Sequence, residues 1–76
     1  APLSPTLRRQ LADRYDEREG EALFAGLRRL DRNARRRRIY DEIARAEGRH
    51  AAEAERRLRA AGVEAPPYRP SAQSRR

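Results

Sequence analysis

Residues 39–54 read IYDEIARAEGRHAAEA, and they put a carboxylate and the chain's single histidine where a helix is expected to be apolar. At about 100° per residue, Ile39, Ile43, Ala54, Leu58 and Ala61 align as one stripe, and Glu47 and His50 fall inside it. A long amphipathic helix is therefore expected here, carrying two ligand-type side chains on the face that should be covered. Charge on such a face needs a counter-charge or a metal.

The rest of the chain offers little apolar material to cover that face. Only 37% of the 76 residues are hydrophobic, so the chain encloses little core by itself. There is no cysteine, which removes disulfides and thiolate metal sites and leaves oligomerisation or an oxygen- and nitrogen-ligated metal as sources of stability. No apolar run approaches the length of a membrane span, and the opening APLSPT lacks the layout of a secretion signal. A soluble chain follows, one that reads as a segment of something longer because it starts without methionine and stops on Arg75-Arg76. The net charge of +7 comes entirely from arginine, with no lysine, and twelve acids are interleaved with it. That alternation is the pattern of solvated helix faces, and Arg35 to Arg38 form the strongest basic block.

Ser4-Pro5 reads as an N-cap followed by proline at the first helical position. It opens a first helix over about residues 5–30, in which Leu7, Leu11 and Tyr15 share one side while Leu23, Leu27 and Leu30 lie nearly opposite. Two apolar surfaces on one helix imply more than one packing partner. Asp31 or Asn33 can cap a second helix, and so short a connection makes the two helices antiparallel neighbours. The second helix is expected to run to about Ala61, closed by Gly62. The domain plan is thus an N-terminal tail 1–4, a helical hairpin 5–62, and a Pro/Arg-rich linker or tail 63–76 outside the fold.

Glu47 and His50 are three apart on one helix, so they project the same way and can grip one object. A carboxylate with an imidazole suits iron, manganese or zinc, and the competing reading is a histidine satisfied by a neighbouring carboxylate. Helix one adds Glu17, beside Gly20, Phe24 and Leu27 on the apolar side. In a hairpin turning near Asn33, Glu17 and Glu47 lie about equally far from the turn and come level. Di-metal helical bundles take one Glu from each of two helices and Glu-x-x-His from each of the other two, and this chain has one candidate of each kind.

The run EREGEALF at 17–24 followed by YDEIARAEGRH at 40–50 resembles the ferritin-like superfamily pattern of Glu, a small residue three later, an aromatic seven later, then Glu-x-x-His on the next helix. The spacing from Glu17 to Glu47 is similar to that of encapsulated ferritins, whose chains are half-bundles. The end of the chain, LRAAGVEAPPYRPSAQSRR, resembles the junction after rubrerythrin-type ferritin-like domains fused to vacuolar-iron-transporter-like membrane proteins. The resemblance covers residues 7–70 and implies an all-α fold, an antiparallel hairpin that dimerises into a four-helix bundle. It implies Glu17 as the helix-one ligand, Glu47 as the bridging carboxylate and His50 as the terminal nitrogen ligand of a di-iron ferroxidase centre, with manganese or zinc as possible substitutes. Phe24 stands where family members often carry tyrosine, and AAEAE follows His50 where a bulky aromatic is common.

The expected function is oxidation of Fe2+ to Fe3+ by dioxygen at a homodimer, or a higher multiple of dimers, at the cytoplasmic face of a membrane. It would capture iron for a C-terminal transporter domain, with Arg69 to Arg76 against the inner leaflet. Nucleic acid is not the favoured partner. Glu21, Asp13 and Glu53 read as exposed acids paired with arginines rather than as ligands, and Tyr40 as a core residue. The competing expectation is a non-enzymatic helical module whose arginine face grips nucleic acid or an anionic membrane.

Overall fold

The computed structural model describes residues 3–70, so the polybasic end expected to run on to Arg76 lies outside the described residues beyond Pro70. Two helices account for the regular structure: α1, Pro5–Leu30, and α2, Ala34–Ala60. Each boundary has a local cause. The Ser4 side chain accepts a hydrogen bond from the Leu7 amide at 3.2 Å, and Pro5 occupies the first turn. Asn33, rather than Asp31, caps α2, with its Oδ1 accepting from the Arg36 amide at 3.0 Å. Asp31 instead ends α1, accepts from the Asn33 amide and binds the Arg36 guanidinium, which gives one arginine of the basic block a structural role. At the other end Gly62 takes φ 78°, and the bonds Val63 N–H to Leu58 O and Gly62 N–H to Arg59 O complete a Schellman stop.

The helices are antiparallel, since contacts that advance along α1 retreat along α2. Arg14 meets Glu55, Glu21 lies against Gly48, and Arg28 meets Asp41, each step of seven on one helix matched by a step of seven on the other. Seven-residue spacing on both partners is coiled-coil geometry, but this seam is charged on the α1 side. On α2 Ala44, Ala51 and Leu58 are buried, on α1 Leu7, Leu11, Leu23, Phe24 and Leu27 are half-buried, and Arg14 is buried beside Glu55. The resulting rod measures 49 × 22 × 16 Å.

Two sequence expectations change. Of the stripe Ile39, Ile43, Ala54, Leu58 and Ala61, Leu58 is buried in the seam, but the rest is not the line that faces α1: Ile39, Ala61 and His50 are exposed, and Ile43, Glu47 and Ala54 are half-buried. The small residues Ala44 and Ala51 let α1 approach more closely than the isoleucines would, so the rest of the stripe is turned to one flank of the hairpin. The segment after Gly62, expected to lie outside the fold, returns along α1. Tyr68 stacks obliquely on Tyr15 with ring centroids 5.7 Å apart and donates to Glu19 Oε1 at 2.7 Å. No helix among the described residues is long and apolar enough to cross a membrane.

Candidate metal centre

The flank that carries the displaced stripe also carries the ligand-type residues. Glu17 projects from the middle of α1 toward α2, and one of its carboxylate oxygens, Oε2, is buried with no hydrogen-bond partner among the described residues. Burial pushes the Glu17 carboxyl above its ordinary value; positive charge at His50 opposes this, while Glu47 and Asp13 add to it. Glu17 and His50 line one cleft, while the Glu47 carboxylate lies at Gly20, about one turn further along α1.

Glu47 is positioned by a glycine. A Cβ at Gly20 would stand 2.8 Å from Glu47 Oε2, so the absence of a side chain at 20 is what lets this carboxylate lie against α1. The relation is reciprocated one residue further along each helix, where a Cβ at Gly48 would stand 2.5 Å from Glu21 Oε2. Two carboxylates thus cross the seam in opposite directions, each over a glycine of the other helix. Glu21 is neutralised by Arg18 at 2.8 Å, whereas no arginine partner holds Glu47 among the described residues. Just beyond, Phe24 and Tyr40 stack at 6.1 Å between ring centroids and close the turn end of the flank.

His50 stands at the mouth of a cleft of about 260 Å³ whose walls include Gln10, Asp13, Glu17, Glu53 and Arg57. Gln10 Oε1 is a second buried oxygen there without a hydrogen-bond partner among the described residues. Glu53 is held below the usual carboxylate range by its hydrogen bond from Arg56, with Arg57 adding to the effect. It is therefore a charge already spoken for.

The three residues singled out from sequence share a flank, with Glu17 and His50 on one cleft and Glu47 about a turn away, and among the described residues no three or more His, Asp or Glu side chains group closely enough to hold a metal. An exposed His50 and a half-buried Glu47 leave the arrangement open on its outer side. The donor set nonetheless suits a hard or borderline cation, because Glu17 offers an oxygen stripped of water and given no hydrogen bond in exchange.

Sequence reasoning passed over the opposite flank, where Glu55 accepts from Arg14 at 2.7 Å and from Arg18 at 2.7 Å. These hydrogen bonds, Arg18's foremost, draw the Glu55 carboxyl down to about 2 against desolvation that opposes them. The seven-residue spacing of Arg14, Glu21 and Arg28 against Asp41, Gly48 and Glu55 was the available signal. Comparison of the chain with protein-family models, curated proteins and solved structures gives no match.

Proposed function

We propose that two copies of the hairpin close on one another at the Glu17, Glu47 and His50 flank, forming a ferritin-like four-helix bundle with a di-iron ferroxidase centre in its seam. One observation carries the reading: the buried Glu17 Oε2, without a hydrogen-bond partner among the described residues, lies on the same flank as a Glu47 carboxylate to which Gly20, about one turn further along α1, gives room. A folded chain rarely leaves such an oxygen without a donor unless something else binds it. A second copy would supply the ligands that one chain lacks and cover Ile39, which is 45% exposed, and Leu30, which is 72% exposed.

Ferrous iron is the substrate, each ion losing one electron with dioxygen as acceptor. The work of the chain is to hold anionic oxygen donors, which favour the ferric over the ferrous state, on a rigid pair of helices. His50 supplies an imidazole nitrogen from an exposed position through which ions can enter. Manganese or zinc would fit the same donors. In a cell this activity would serve iron capture for a membrane transporter on the cytoplasmic side, as the sequence of the tail suggests.

Anaerobic titration with Fe(II) should saturate near about one iron per chain, two per dimer, and admitting air should then produce ferric absorbance. Flat titrations, or undiminished oxidation in Glu47→Ala and His50→Ala, would sink the proposal.

A further inference from the structure

The hairpin's other flank has a separate chemistry. At about 100° per residue, Arg38, Arg45, Arg49, Arg56 and Arg59 fall within about 80° of one another on α2. All five are exposed. From first to last they span about 30 Å at about 1.5 Å per residue. The remaining residues of that sector are Ala34, Asp41 and Ala52. Asp41 is engaged by Arg28 and Arg45, and Arg56 by Glu53, but Arg38, Arg49 and Arg59 form no ion pair among the described residues. Ion pairing accounts for Arg45 and Arg56, and the helix C-terminus favours Arg59, but folding does not account for Arg38 and Arg49. Neighbouring arginines three or four apart repel one another, and Arg38 lies near the helix start, where positive charge is disfavoured.

We infer that this stripe is a docking surface for an anionic lipid bilayer, on which the rod lies flat with the Glu17, Glu47 and His50 flank turned away. Guanidinium groups are matched to phosphate and carboxylate headgroups. Shape selects among polyanions: a straight row about 30 Å long can touch a plane at every arginine, whereas a B-DNA major groove, though wide enough for a helix, winds away from a straight row and meets only part of it. Single strands are disfavoured because the sector has no aromatic side chain on which a base could stack. Its lack of any leucine, phenylalanine or tryptophan also means that the helix rests on the headgroups and does not insert. Docking of this kind requires neither metal nor a second chain.

The test is co-sedimentation of the full chain with phosphatidylcholine vesicles, with and without phosphatidylserine, at low and high ionic strength. Binding should require phosphatidylserine and be reversed by salt. Neutralising the unpaired arginines in R38Q/R49Q/R59Q should weaken it about fivefold per residue, on the order of a hundredfold in all. R38K/R49K/R59K should bind nearly as wild type, which separates loss of charge from loss of fold. The control R8Q/R9Q/R35Q removes the same charge from exposed positions outside the stripe and should lose far less. Equal losses in the two Gln triples, binding to neutral vesicles, or displacement of the protein from vesicles by duplex DNA at matched phosphate would each overturn the inference. Iron titration of R38Q/R49Q/R59Q should be unaltered, so failure here is distinct from failure of the metal reading.

Discussion

At the scale of single residues, the two crossing carboxylates make glycine a functional choice. Gly20→Ala should strengthen α1 by up to about 1 kcal/mol, because the group its Cβ would meet is the movable end of Glu47. The same displacement should weaken iron binding by about tenfold or more. Gly48→Ala displaces Glu21 instead, and in a titration it should leave iron affinity unchanged while giving a similar melting temperature. Glu17 provides a linkage test. Its folded carboxyl titrates above the ordinary value of 4.5, so ionising it costs stability; the cost is absent below the unfolded value and fully present above the folded one. Glu17→Gln should therefore raise the metal-free melting temperature at neutral pH, converge with wild type in acid, and abolish iron binding. A pH-independent difference would show that burial of the charge is not the cause.

At the scale of elements, the ion pairs across the seam replace much of the apolar contact that joins most helix pairs. Glu55 has a folded value of about 2 against an ordinary 4.5, so its stabilisation is present above about 4.5 and is lost as pH falls toward about 2. Glu55→Gln should cost about 2–3 kcal/mol at neutral pH, since it strands the buried Arg14, and should flatten acid unfolding across that window. Tyr68→Ala should cost about 1–2 kcal/mol in a thermal melt by removing the Tyr15 contact and the bond to Glu19. Both helices and their caps were legible in sequence, because Ser4, Pro5, Asn33 and Gly62 act within a turn of where they stand. The register was only partly legible: the short turn makes the helices antiparallel, but Glu47 lies against Gly20, about one turn of α1 from Glu17, and not level with it. The flank to which Ile39 and Ile43 turn was not legible, because alanine spacing at 44 and 51 decides the approach of α1 and outweighs the hydrophobic pattern. Nor was the return of residues 63–70, where one tyrosine finding another overrides the extended habit of proline.

At the scale of the whole molecule, the two flanks have opposite chemistry, carboxylates with a histidine on one and arginines on the other. Sedimentation should give a dimer or a multiple of it, and iron should tighten it; at a hundredfold excess of iron over its Kd the gain should be about 2.7 kcal/mol. A metal-free monomer with full helicity and no response to iron would remove the half-bundle. The seam also governs how the chain responds to temperature. Hydrating apolar surface raises the heat capacity of the unfolded chain and hydrating polar surface lowers it, so a buried set of one arginine, one glycine and two alanines around one leucine leaves a small difference. Calorimetry should give an increment below the usual ~12–15 cal/mol/K per residue, and the stability curve should be broad and shallow, with little weakening on chilling.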